Sequence, residues 1–257
     1  MYKNITFIAT TTNRGICFQS LIISIRKVFG CDPKILFTHQ IESLTESIQN
    51  FSHKYDVVSV ATGYDSGLSY NRNFMIDKIE TEFFVLCDDD FIFDASVKLS
   101  LSIELMQKSD IDILGGVYKN FNFDINNSLK SYSESSFAFD IEINYELFEK
   151  NEVDLSKVSY YKGLRFLKCD CVNNFAIMRT ASFLREPKLR WDEDMKISGE
   201  HIDFFTNNKI KEYANVYFSP DLSILHIRRS SPRYQEMRDR RDGIKLFESK
   251  LKHVNHI

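Results

Sequence analysis

The chain has 257 residues, 43% of them hydrophobic and 27% charged, with nine glycines and four prolines. That composition excludes intrinsic disorder, a collagen-like chain and a coiled coil, and the length fits one domain or one domain with an appendage. Thirty-three Lys and Arg against 36 Asp and Glu give a net charge of −3, without the basic footprint of a nucleic-acid binder.

The apolar run Ile5–Ala9 is too short for a signal peptide, and no run reaches the ~18 residues that span a bilayer, so the protein is expected in the cytoplasm. Residues 4–10 are predicted as a buried strand and 16–29 as a helix stopped by Gly30. Strands follow at 34–38, 56–61 and 82–87, with helices at 42–53 and 69–79 between them. A helix carrying Leu99, Leu101, Leu105 and Met106 precedes a strand at 111–114. Strands alternating with helices over the first 115 residues predict a mainly parallel sheet covered on both faces, an α/β fold. Gly115–Gly116 mark a change. Residues 117–168 are polar and aromatic and predict a small antiparallel part. A strand at 171–178, a short helix from Thr180, a polar loop at 192–199, a helix at 200–211 and two strands at 214–218 and 222–227 complete the domain. The division expected is a nucleotide-sugar-binding half at 1–116, an acceptor-binding half at 117–227 and a basic tail at 228–257. Five cysteines without a C-x-x-C pair predict a reduced chain with no zinc site of the usual spacing.

Three features carry chemistry. Asp88, Asp89 and Asp90 follow an apolar strand directly, at the edge where open α/β sheets bind ligands. Adjacent carboxylates repel, and oxygen ligands suit a hard divalent cation such as Mn²⁺ or Mg²⁺ bound to a nucleoside diphosphate. Gly199-Glu200-His201-Ile202-Asp203 opens a helix near Trp191 and groups two carboxylates with an imidazole. That combination suits a sugar whose hydroxyls are bound and from which one proton is taken. His226 ends a strand and could complete the metal site.

Gly67-Leu-Ser-Tyr-Asn-Arg72-Asn73 followed by a strand and Asp88-Asp-Asp90-Phe91 resembles the GT-A fold glycosyltransferases of the bacterial family 2 type. The likeness is closer to the ganglioside-type β1,4-N-acetylgalactosaminyltransferases. It continues in Leu114-Gly115-Gly116, in Val172-Asn173-Asn174-Phe175 with Arg179-Thr180, in residues 199–205 and in His226. It covers residues 4–227, with no counterpart for 117–168.

The resemblance implies an inverting, metal-dependent transfer from a UDP-sugar to a glycan or lipid-linked acceptor. N-acetylgalactosamine is the first choice of sugar. Thr10, Thr12 and Arg14 would hold the uridine, and Arg72, Asn73 and Asp89 would steady the donor. Asp88 would sit at the ribose or beside the metal, and Asp90 with His226 would ligate Mn²⁺. The family's base position holds His201 here, while Glu200 and Asp203 match the base by chemical type, so all three stay open. Without the membrane anchor of the animal enzymes, the chain is expected to be a bacterial enzyme of capsule or lipo-oligosaccharide synthesis.

Two other functions fit parts of the pattern. A nucleotidyltransferase would need a Gly-rich basic loop after the first strand, where Thr10–Gly15 has one glycine. A non-catalytic cation- or sugar-binding module would need the acids at 88–90 but no base near 200. In the tail, Arg228, Arg229 and Arg233 are close enough in sequence to His226 to reach a diphosphate. The stretch from Arg238 to Lys252 would suit an anionic lipid surface, placing the enzyme peripherally on the inner membrane.

Overall fold

The computed structural model describes residues 2–12, 14–123, 128–135, 137–144, 147–186, 188–228, 236, 239–240 and 242–254. Strands β1 (Ile5–Thr11), β2 (Lys34–His39), β3 (Val58–Ala61) and β4 (Phe83–Asp88) run parallel in the order β3-β2-β1-β4. Helices α1 (Gly15–Phe29), α2 (Glu46–Lys54) and α3 (Leu68–Ile76) supply the crossovers. Beyond β4 the sheet becomes mixed. β12 (Ala176–Arg179) runs antiparallel between β4 and β6 (Ile113–Phe123), and β13 (Val216–Arg228) lies parallel to β6. The short β5 (Phe91–Ile92) pairs with the end of β13, and β7 (Leu129–Ser135) pairs with β6. β11 (Leu164–Lys168) and β10 (Ser159–Tyr161) extend the far edge, and β8 (Phe139–Asn144) with β9 (Leu147–Glu152) makes a separate hairpin.

Strand alternation divides the apolar residues between two layers. Phe7 and Ala9 of β1 and Val85 and Cys87 of β4 pack against α1 and α4 (Leu99–Gln107). Ile8, Phe84 and Leu86 face α3, α5 (Thr180–Leu184) and α6 (Glu200–Lys211) on the other side. The last helix, α7 (Asp242–Val254), packs on α6. None of the described helices is long and apolar enough to cross a membrane. All five cysteines are free thiols, four of them buried.

Two boundaries differ from expectation. β6 runs through Gly115–Gly116 to Phe123 instead of ending at 114, so the two halves share one continuous strand. The glycines are there for close approach. A Cβ on Gly115 would stand 2.3 Å from Val172 Cβ, and one on Gly116 would stand 2.3 Å from the Leu222 carbonyl. The strands expected at 214–218 and 222–227 are one strand whose register shifts between Phe218 and Ser223. Pro220 sits in that shift, where no ladder N–H is needed.

One buried group makes stability depend on pH. His39 is 2% exposed, lies against Phe18 and Phe37, and its Nε2 is 3.2 Å from Ser59 Oγ. Burial lowers its pKa from 6.5 to about 4. The unfolded imidazole binds the extra proton between those values, so its share of stability is complete above pH 6.5 and is lost as pH falls toward 4. At 1.36 kcal/mol per unit the loss at pH 5 is about 2 kcal/mol. Urea unfolding at pH 7.5 and 5.0 should show a difference between the two conditions that shrinks by about that amount in His39→Gln. An unchanged difference would exclude His39 as a source of acid sensitivity.

Candidate active site

The alternation of β4 sends Asp88 to the same side as Leu86, toward α6. Asn174 Nδ2 donates to both Asp88 oxygens at 3.3 Å. Burial, then the charge of Asp90, raises the Asp88 pKa. Asp89 is 1% exposed and accepts from Thr11 Oγ1 at 2.5 Å and from the Arg14 guanidinium, with Nε at 3.1 Å. Burial pushes its carboxyl up to about 7 against the opposing charge of Arg14. Arg14 also donates to Asp90 Oδ2 at 3.0 Å. At Asp90 burial favours the neutral form, but a hydrogen bond from the protonated His226 ring, and the charge of Arg14, outweigh it and hold the pKa low.

His226 reaches Asp90 through strand pairing: β13 and β5 align His226 with Phe91, and Ile227 N donates to the Asp90 carbonyl at 2.9 Å. Asn120 Nδ2 donates to Ser135 Oγ at 2.8 Å, which orients its Oδ1 to accept from His226 Nδ1 at 2.9 Å. In the neutral imidazole the proton is then on Nδ1, which leaves the Nε2 lone pair toward Asp90 Oδ1 across 3.3 Å. That oxygen is buried and makes no hydrogen bond among the described residues. Two acceptors held face to face, with the imidazole oriented from behind, fit a divalent cation. Among the described residues no group of three or more His, Cys, Asp or Glu side chains surrounds one point. Asp90 and His226 thus form the protein's pair, and Asp88 is not gathered with them.

The three candidate bases separate. Gly199, at φ +86°, turns the chain into α6. Glu200 lines the cleft and accepts from Arg72 Nη1 at 3.1 Å, and the Arg72 guanidinium lies over the Trp191 ring at 5.3 Å. The His201 ring is not among the cleft-lining groups. Its Nε2 is 2.5 Å from the Val172 carbonyl, its edge meets Phe205, and burial lowers its pKa to about 3. Asp203 is buried below the first turn and takes hydrogen bonds from Lys250 Nζ at 3.0 Å and Asn207 Nδ2 at 2.9 Å. Burial raises its pKa.

These groups border one cleft of about 280 Å³. Of the residues singled out in the sequence, Thr10, Thr12, Arg14, Asp88, Asp89, Asp90, Glu200, His226 and Arg228 line it. Thr10 Oγ1, Thr12 Oγ1, Asp90 Oδ1 and Asn174 Oδ1 are buried there without a hydrogen-bond partner among the described residues. Arg72 and Asn73 do not line it. Asn73 instead bonds the Trp191 backbone in both directions, at 2.9 and 3.1 Å, and Glu193 at 2.9 Å, which holds the approach to α6. Sequence reasoning missed Gln40, Asp65, Tyr118, Lys196 and Arg240, which also line it. Only a positive φ of 56° at Asp65 marks that residue locally, and this is a conformation no sequence signal announces.

Two cations of the described tail are committed to acids of the domain. Arg240 makes two hydrogen bonds to Asp65, at 2.6 and 2.7 Å, and its carbonyl accepts from Ser198 Oγ at 3.0 Å. Lys250 pairs with Asp192 and Asp203. These cations neutralise Asp65, Asp192 and Asp203, so the expected lipid contact through Arg238–Lys252 has no support from their placement. Arg229, Arg233, Arg238 and Arg241 lie outside the described residues.

No family model matches the chain. It is 28% identical over 115 residues to mouse (Mus musculus) β-1,4 N-acetylgalactosaminyltransferase 2, which is 44% of this chain and 21% of that protein. The chain thus spans about a fifth of that relative. Its backbone is similar to S. aureus TarS residues 1–349, with TM-score 0.56, 16% identity and coverage of 88% of this chain and 60% of that one. Against the same TarS fragment in complex with UDP the TM-score is 0.58, at 17% identity, covering 92% and 63% of the two chains. A longer S. aureus TarS gives 0.59 at 16% identity, covering 97% of this chain and 39% of that one. The fold of this chain is the GT-A type of the glycosyltransferases.

Proposed function

We propose that the protein is an inverting glycosyltransferase that moves a hexose from a UDP-sugar to a hydroxyl of a glycan acceptor, free or lipid-linked. The observation that carries this is that the Glu200 carboxylate and the Asp90–His226 pair line one cleft. UDP as the nucleotide is supported by the TarS complex. N-acetylgalactosamine as the sugar is supported by the mouse relative, with galactose and N-acetylglucosamine as the alternatives.

In this reading Glu200 takes the proton of the acceptor hydroxyl, and Arg72 and Trp191 hold its carboxylate in place. The acceptor oxygen bonds to the anomeric carbon, the bond from that carbon to the β-phosphate oxygen breaks, and its electron pair leaves with UDP. Arg228 and Lys196 stand in the cleft to offset the charge on the departing diphosphate. A divalent cation, when held by Asp90 and His226, supplies further positive charge at that diphosphate. Thr10 and Thr12 offer the hydroxyls that lack partners to the nucleoside.

The test is incubation with a panel of UDP-, GDP- and CMP-sugars and Mn²⁺, following nucleotide release and glycan product. Transfer from a UDP-sugar is expected, and release from a GDP- or CMP-sugar alone would overturn the nucleotide assignment. Mn²⁺ titration followed by electron paramagnetic resonance, with UDP present and no acceptor, should show at least tenfold weaker binding in Asp90→Asn. Equal binding would remove the metal role of Asp90.

A further inference from the structure

We infer that His201 is a positioning residue, a neutral hydrogen-bond donor that ties the first turn of α6, and with it Glu200, to the turn that carries Asn174. The inference rests on the transferase reading for its consequence, but not for its geometry. His201 and Glu200 are neighbours on α6, where successive side chains point about 100° apart, so both cannot face the same cleft. Glu200 faces it; the His201 ring turns toward Phe205 and Phe137, with centroids at 5.0 and 6.3 Å. Its Nε2 donates to the Val172 carbonyl at 2.5 Å. The lone pair is therefore on Nδ1, which is buried and has no partner among the described residues, so a proton accepted from a substrate in the cleft has no route to it.

Val172 begins a tightly fixed turn. Asn173 Nδ2 donates to the Gly116 carbonyl at 2.6 Å, its Oδ1 accepts from Phe175 N at 2.9 Å, and Gly116 N donates to the Phe175 carbonyl at 3.0 Å. Asn174, in the middle, holds Asp88. One hydrogen bond from His201 thus links the residue proposed to take the acceptor proton with the turn that holds Asp88 at the other part of the cleft. A loss of alignment of about 1 Å between two such groups costs on the order of 10²-fold in rate without changing how tightly either substrate binds.

The experiment compares His201→Phe, which keeps a ring and loses the donor, with His201→Gln, whose amide nitrogen can reach the Val172 carbonyl. In His201→Phe, kcat should fall 10- to 100-fold with the donor KM within about twofold. His201→Gln should recover most of that loss, with the same shape of pH profile as the parent. Amide hydrogen exchange at Phe175 and Gly116 in the ligand-free proteins should quicken at least tenfold in His201→Phe and not in His201→Gln. Unchanged exchange and unchanged kcat in His201→Phe would overturn the inference. So would His201→Gln that is as inactive as His201→Phe while exchanging like the parent, since the imidazole would then be the proton acceptor. If the parent transfers no sugar, the transferase reading fails, and the exchange comparison still decides whether His201 holds the turn.

Discussion

Glu200→Gln should lower kcat by about 10³-fold while leaving UDP affinity within about twofold, because a positioned general base contributes on the order of 10²–10⁴. Of the three candidate bases, Glu200 is the one whose side chain lines the cleft. Glutamine keeps an oxygen for Arg72 Nη1 but cannot take a proton. The substitution also removes the negative partner of a buried guanidinium: the two side chains are 2% and 7% exposed. Losing one member of a buried pair costs up to about 3–5 kcal/mol, and the retained hydrogen bond recovers part of it. The unfolding midpoint should therefore drop, and kcat must be read well below it, with UDP binding measured on the same sample to show that the cleft is intact. Asp203→Asn is the control. It touches Lys250 and Asn207 rather than the cleft, and its loss of kcat should be at least tenfold smaller. If Glu200→Gln keeps more than a tenth of the parental kcat while Asp203→Asn does not, the base is assigned to the wrong carboxylate.

What the sequence could convey depended on whether a residue's partners were local. The β1 and β4 runs alternate between two apolar layers, and the Asp88–Asp90 cluster lies at the carboxyl end of an apolar strand. These are short-range patterns, and the fold and the placement of those acids at the cleft followed from them. The G-E-H-x-D segment was legible as a site but not as an assignment. Which of three side chains faces the cleft depends on the rotation of α6, and that is set by Arg72, Val172 and Lys250, each distant in sequence. Gly115–Gly116 read as a break because the Val172 and Leu222 atoms that require glycine there come from a distant turn and another strand. The partners of the tail were hidden for the same reason. A run of Lys and Arg looks like a solvated or lipid-facing surface, and only the folded chain brings Asp65, Asp192 and Asp203 to Arg240 and Lys250.

Ending the chain at Arg238 should cost at least 10²-fold in transfer to a soluble acceptor and lower the unfolding midpoint by several degrees. The lost segment holds the cleft from three directions. Arg240 lines it and clamps Asp65, and Phe247 is 7% exposed. Burying a phenylalanine side chain contributes about 2 kcal/mol. Lys250 is the cation beside Asp203, which is 3% exposed and would otherwise be a buried, unpaired carboxylate. With the Lys250 side chain 35% exposed, solvent screening reduces that pair to about 1–2 kcal/mol. The third tie is steric. A Cβ on Gly243 would lie 1.8 Å from the Ser198 carbonyl oxygen, and one on Gly199 would lie 2.7 Å from the Gly243 carbonyl carbon. The segment from Lys196 to Glu200 that lines the cleft is thus seated on the start of α7. Gly243→Val changes no charge, so it should reproduce most of the truncation's loss of transfer without touching a polar contact. Lys250→Met should lower stability more than rate. Binding to acidic liposomes, measured on the same three proteins, separates this account from the one the basic run suggested. A truncated chain with parental transfer and melting but reduced liposome binding would mean that α7 serves a membrane surface and not the cleft.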